Sequence, residues 1–302
     1  MKIKLRTLHW PLSRTISNII FIKLFRVWER MGFHITQNHF YQPIPDIRTL
    51  PDNLWLRQSE LVGIDMNEQR QIGLLNELSV KFKNEYDGLL EENSSKPKQF
   101  GPVDGEILYC MIRYFKPERI VEIGSGYSTY ISAQAILKNE EEGGNKSELI
   151  AIEPYPNEAL RRGFPGLTKL IPAKVETVEL AEFTKLQEND ILFIDSTHVL
   201  KSGSDVQYEY LEILPRLRKG VIVHIHDIFL PMEYPKEWVL KQFLFFNEQY
   251  LLQAFMAFNN AYEVLWAASY MHLRYPDQLE QAFGSYNRKR AWPGSFWIRK
   301  KV

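Results

Sequence analysis

Asp195, His198, His226 and Asp227 are the residues of this chain whose types and spacing could do chemistry together. Asp195 closes a short apolar run at 190–194, and His226-Asp227 closes another at 220–225, so both runs read as buried strands. Neighbouring strands lie about 4.8 Å apart, and if these two are neighbours their carboxyl ends bring Asp195 and Asp227 to one spot. Two carboxylates with imidazoles beside them suit a divalent cation, which lowers the pKa of a hydroxyl and fixes its oxygen for attack. The metal set read from the sequence is Asp195, His226 and Asp227. An imidazole among the ligands turns the choice away from magnesium, which prefers oxygen shells, and toward manganese, iron or zinc. His198 has a reference pKa suited to taking a proton near neutral pH, so Asp195 and His198 are the expected catalytic pair. Taken singly, Asp227 could cap a helix at Ile228 and His226 could be a core histidine. His224 reads as structural.

The ligand those residues would serve is announced upstream, in the run Glu118–Thr129. Residues 119–123 form a β-branched stretch broken at once by Gly124 and Gly126, and a helix is expected from about Ser128, with Ile131, Ala135 and Ile136 on one face. Strand, glycine loop and helix make a nucleotide-binding start, but Thr129 stands where a dinucleotide site wants its third glycine. Glu122, inside the strand, would repel a pyrophosphate and suits a ligand with a cationic amino-acid end. S-adenosylmethionine is such a ligand. Glu153, ending the next strand at 149–152, is placed for both ribose hydroxyls. The cofactor-binding set expected is Glu122, Gly124, Ser125, Gly126, Tyr127, Ser128, Glu153, Glu176 and Asp195, with Lys174-Val175-Glu176 facing the adenine.

In VEIGSGYST (121–129), AIEPYP (151–156), ILFIDSTHV (191–199) and GVIVHIHDIFLP (220–231) the chain resembles the class I S-adenosylmethionine-dependent methyltransferases, over roughly residues 100 to 302. The resemblance implies an α/β, Rossmann-like, doubly wound and mostly parallel seven-stranded sheet, with a last antiparallel strand inserted into it, and methyl transfer to a small molecule. In the metal-dependent O-methyltransferases of this superfamily the acids ending the fourth and fifth strands hold the cation. They map onto Asp195 and the His226-Asp227 pair, and His198 falls where the catalytic base stands. His226 departs from the acid or Asn usual there. A metal-dependent hydroxylase-like enzyme on the same fold is the competing reading, and a non-catalytic membrane-surface scaffold a third.

At 302 residues and 45% hydrophobic content the chain can bury one good core and a smaller second one. Zero net charge excludes the basic footprint of a nucleic-acid binder. The single cysteine, Cys110, excludes an internal disulfide and points to a reducing, cytoplasmic compartment. No run reaches the length of a membrane-spanning helix, since Ile19–Ile22 is cut by Lys23. Residues 1–35 carry seven Lys/Arg against Glu29. A helix there is expected to pack on the domain with its basic face in water; lying on an anionic membrane surface is the alternative. The polar run 92–98 sets a boundary between an N-terminal helical extension, 1–99, and a cofactor-binding domain, 100–302. Asp104 reads as an N-cap, 238–258 as one long helix with apolar surface to spare for a homodimer or the N-terminal helices, and Tyr234 and Trp238 as an aromatic wall over the cleft. Residues 274–292 read as turn-rich and irregular.

Overall fold

A computed structural model describes residues 16, 19–86, 100–290 and 292–302 of the chain. Its centre is a seven-stranded sheet of β1 (Arg119–Ile123), β2 (Glu148–Ile152), β3 (Lys169–Ile171), β4 (Ile191–Ile194), β5 (Ile222–Ile225), β6 (Tyr262–Ala267) and β7 (Phe296–Lys300), in the order β3-β2-β1-β4-β5-β7-β6. The first five strands are parallel, and β7 inserts antiparallel between β5 and β6. From β1 the chain steps outward through β2 and β3, then returns to lay β4 and β5 on the other side. The switch point is therefore the seam between β1 and β4, and ligands gather above such a seam.

The inner strands are apolar on both faces because helices cover both. Val121, Leu192 and Val223 face one core, and Ile120, Ile191 and Ile222 the other. Helices α1 (Glu68–Tyr86), α2 (Asp104–Phe115) and α3 (Tyr127–Glu141) close the second core, with Leu75, Leu78 and Phe82 of α1 buried against it. The acidic residue within β1 is Glu122, wholly buried.

Local expectations were overturned in several places. Asp104 is the first residue of α2 and does not cap it; its buried carboxylate accepts the N–H groups of Gly294 (2.9 Å) and Ser295 (3.0 Å), tying α2 to the start of β7. The expected helix over 238–258 is interrupted at Phe243, whose φ of +58° stops the Trp238–Gln242 turn, and resumes as α4 (Glu248–Met256). Within 274–292, Pro276–Ala282 is helical, started by a proline whose missing N–H costs nothing in a first turn. The short helical turns Ile19–Lys23 and Phe25–Arg30 bury no residue fully, and Ile20, Leu24 and Trp28 are half-buried. The polar run 92–98 and the basic residues 2–14 lie outside the described residues. Among the described residues no helix is long and apolar enough to cross a membrane.

Candidate functional site

Gly124 fixes the floor of the site. Its φ is +77°, and a Cβ there would stand 1.8 Å from the carbonyl oxygen of Asp195, so only glycine lets the end of β1 lie against the end of β4. Around this crossing are two adjoining cavities that share Gly124, Glu153 and Asp195. One, of about 430 Å³, is walled by Pro154, Tyr155, Lys174-Val175-Glu176 and Ser196-Thr197. The other, of about 220 Å³, is walled by Phe100 and the loop Ser125–Ser128. A larger cavity of about 570 Å³ lies between residues 59–70 and Tyr270, away from the strand ends; of its charged groups Arg70 pairs with Glu263 and Glu68 accepts from the Tyr270 and Tyr275 hydroxyls.

Glu153 is held at the mouth of both cavities. Its Oε1 accepts the N–H of Tyr155 (2.8 Å) and its Oε2 that of Ser125 (3.2 Å), which fixes the carboxylate without enclosing it. Glu122 lines neither cavity. It lies one layer behind Ser128, whose hydroxyl donates to Oε1 at 2.5 Å, while Oε2 is buried with no partner. Burial, more than offsetting the Ser128 and Thr129 hydroxyls, pushes its pKa up to about 8. The folded chain thus holds a proton on Glu122 that the unfolded chain releases near the ordinary value of 4.5. Its contribution to stability is complete below 4.5 and is lost as pH rises toward 8. Glu122→Gln is therefore expected to melt higher than the unaltered chain by at least about 3 °C at pH 8, at the roughly 2 to 4 °C per kcal/mol of a chain of this size. The gain should shrink as pH falls toward 5. A melting difference that does not change with pH would refute it.

Asp195, His198 and Asp227 converge above β4 and β5. One ligand atom from each lies within 4.8 Å of the others. His198 Nε2 stands 3.3 Å from Asp195 Oδ1 and 3.5 Å from Asp227 Oδ2. Both His198 (φ +58°) and Asp227 (φ +53°) sit in the left-handed region, which costs a non-glycine residue on the order of 1 kcal/mol or more. These turns send the chain back over the sheet and aim the two side chains at Asp195.

The carboxylates of this cluster favour positive charge on its imidazoles. Burial opposes a charge on His198, but its contacts to Asp195 and Glu248 outweigh burial and hold its pKa well above the ordinary value. Burial likewise opposes a charge on His226, and Asp195, Asp227 and Asp104 overcome it. Asp195 is drawn down against burial by these two imidazoles, and Asp227 is pushed up by burial. The carboxylates thus favour positive charge at this point, which a divalent cation would also supply, and the N,O donor set fits manganese, iron or zinc better than magnesium.

His226, expected as a ligand, stands at the edge of this group. Its Nε2 is 3.6 Å from Asp227 Oδ1, its ring stacks on Phe100 at 4.7 Å between centroids, and its Nδ1 is buried without a partner. His224 is buried against Phe193 and Trp297, and burial drives its pKa well below the ordinary value, as a structural histidine requires. Tyr234 is no cleft wall: it is fully buried and its hydroxyl accepts the N–H of Gln249. Trp238 remains half-buried beside Phe229 and Phe246, and Phe246 in turn meets the His198 ring. Glu248, wholly buried, accepts nothing from solvent and meets His198 Nδ1 at 2.8 Å. No local spacing signals that contact, since it joins residues 50 positions apart.

A family model described as a methyltransferase domain matches residues 121–228, the stretch from β1 to just past β5. An uncharacterized protein of Archaeoglobus fulgidus is 31% identical over 190 residues, 58% of this chain and 84% of that one. Among solved structures, the O-methyltransferase TomG of Streptomyces achromogenes, in complex with SAM, is similar over 79% of this chain and 100% of its own, at 13% identity and a TM-score of 0.40. An O-methyltransferase from Bacillus cereus in complex with SAH is similar over 76% of this chain and 91% of its own, at 13% identity and a TM-score of 0.39.

Proposed function

We infer that this chain, which belongs to the class I S-adenosylmethionine-dependent methyltransferases, moves the methyl group to a hydroxyl of a small molecule at a site that also holds a divalent cation. The observation that carries the hydroxyl acceptor is the convergence of Asp195, His198 and Asp227 on one point beside the shared wall of the two cavities. When bound, the cofactor supplies the methyl sulfonium and the cation supplies Lewis acidity to a hydroxyl oxygen.

The remaining roles belong to side chains of the protein. Glu153, fixed by two backbone N–H groups with its face open to the cavities, is suited to accept from a ribose diol. Lys174, Val175 and Glu176 give the adenine side its wall. Gly124, Ser125, Gly126, Tyr127 and Ser128 line the smaller cavity, where the amino-acid end belongs. Glu122, with a buried unpartnered oxygen behind Ser128, supports that placement electrostatically rather than by contact, because a positive charge in the smaller cavity favours its ionised form. Asp195, His198 and Asp227 are proposed as the cation ligands. His198 is read as a ligand and not as a free base, since its Nε2 already lies between two carboxylates and its Nδ1 meets a third.

Two further parts of the reading concern the whole chain. The boundary near residue 99 is proposed as one of sequence rather than of packing, since α1 of the N-terminal extension closes the second core of the sheet. Exposed Ile19, Ile22, Val27 and Met31, interleaved with Lys23, Arg26 and Arg30, support a weak contact with an anionic membrane surface.

Asp227→Ala is the direct test. Asp227 lines neither cavity, so the variant should take up no manganese or zinc by elemental analysis, while its affinity for S-adenosylhomocysteine stays within a few-fold. An active unaltered protein that carries no metal and is indifferent to a chelator would remove the cation and, with it, the hydroxyl acceptor.

A further inference from the structure

The Glu248–His198 contact is more elaborate than a buried ion pair needs to be. α4 begins at Glu248, and the first N–H groups of a helix have no partner within it. Here the N–H groups of Asn247 (3.0 Å) and Glu248 (3.2 Å) both donate to the carbonyl oxygen of His198. Asn247 Oδ1 accepts the N–H of Leu200 at 2.6 Å. The loop after β4 is therefore gripped on its backbone at His198 itself, the residue whose backbone is left-handed, and two residues on at Leu200. Onto this grip is added a side-chain contact, Glu248 Oε2 to His198 Nδ1 at 2.8 Å, on a carboxylate that is wholly buried. Burying a carboxylate is costly, and its position at the start of a helix recovers part of that cost.

A second buried carboxylate, Glu209, stands in the same region but does not touch His198. Its Oε2 accepts from Ser196 Oγ at 3.2 Å. The two differ in what they grip, and that difference gives the comparison by which the role of Glu248 can be isolated.

We propose that Glu248 is a positioning residue for His198: by accepting the Nδ1 hydrogen it fixes the ring and turns Nε2 into the gap between Asp195 and Asp227. A ring held at Nδ1 by a carboxylate has one nitrogen left to offer, and that nitrogen becomes more basic. The imidazole could otherwise rotate about its χ2 bond and present either nitrogen or neither. The proposal rests on the reading of Asp195, His198 and Asp227 as a cation site. It adds that the site is completed from α4, across the segment that follows β5, so the placement of that segment sets the affinity of the site.

The test uses the full-length chain, cobalt(II) as the probe, and the variants Glu248→Gln and Glu209→Gln. In the cation-free protein the Nδ1 hydrogen of His198 should give a downfield, slowly exchanging proton resonance that disappears in His198→Gln. Glu248→Gln should shift or broaden it, and Glu209→Gln should leave it in place. On titration with cobalt, followed by its visible absorption, Glu248→Gln should weaken binding by about 10- to 100-fold, the usual cost of losing such a partner, and alter the absorption bands. Glu209→Gln should bind near the unaltered affinity. Unchanged cobalt binding in Glu248→Gln, or an equal loss in Glu209→Gln, would overturn the proposal, because either result makes Glu248 an ordinary buried acid. Should the unaltered protein bind no cobalt, the cation reading falls by itself, and the resonance still decides: present and sensitive to Glu248 it upholds the positioning role, and insensitive it ends it.

Discussion

His198→Gln is expected to lower turnover by at least about 10²-fold, the size of effect that follows the loss of an essential imidazole, while S-adenosylhomocysteine affinity changes little. The cause decides what rescues it. If Nε2 is a ligand, as its place 3.3 Å from Asp195 and 3.5 Å from Asp227 supports, the variant binds manganese or zinc more weakly and excess cation returns much of the lost rate. The pH dependence carries the same sign. Contacts to Asp195 and Glu248, against burial, hold the His198 pKa well above its ordinary value, so a proton competes with the cation across the neutral range. Apparent cation affinity of the unaltered protein should therefore rise with pH, and that rise should be much reduced in His198→Gln. A variant that binds the cation normally and is still inactive at saturating cation would make His198 the free base that its spacing from Asp195 first suggests.

The sheet was legible in the sequence because buried parallel strands leave mostly apolar runs, each ended by a glycine or a polar residue where the chain leaves the sheet. Residues 119–123, 149–152 and 190–194 are marked in this way, and their ends at Gly124, Glu153 and Asp195 line the cavities observed. The last antiparallel strand followed from the family resemblance and lies where that implied, between β5 and β6. Tertiary contacts were not legible. Composition makes 238–258 a helix, but a left-handed Phe243 splits it, and only the split puts Glu248 at a helix start against His198. Asp104 has the right type and place for a cap, but its carboxylate is taken by Gly294 and Ser295, nearly two hundred residues on. The choice between His198 and His226 as the third member of the cluster turns on backbone dihedrals at 198 and 227. Nothing in the side-chain pattern encodes them.

Gly124 and Gly126 look equivalent in the motif, and the structure separates them. A Cβ at Gly126 meets no atom within 4 Å, whereas one at Gly124 falls 1.8 Å from the Asp195 carbonyl oxygen on a backbone with φ of +77°. Gly124→Ala must bear left-handed strain of about 1 to 3 kcal/mol and overpacking of a further 1 to 3 kcal/mol or so. The expected loss of stability in urea is thus about 3 kcal/mol or more. Relief can come only by moving β1 and β4 apart at their carboxyl ends, and that displaces Asp195, which borders both cavities and belongs to the proposed cation cluster. Cofactor and cation affinity should consequently fall together in Gly124→Ala, although the residue offers neither ligand a side chain. Gly126→Ala should keep cation affinity near that of the unaltered protein, since Asp195 stays where it is. If Gly124→Ala lost cofactor binding alone, with the cation still tightly held, Asp195 would not be the hinge between the two sites, and the shared wall seen at the end of β4 would have no functional consequence.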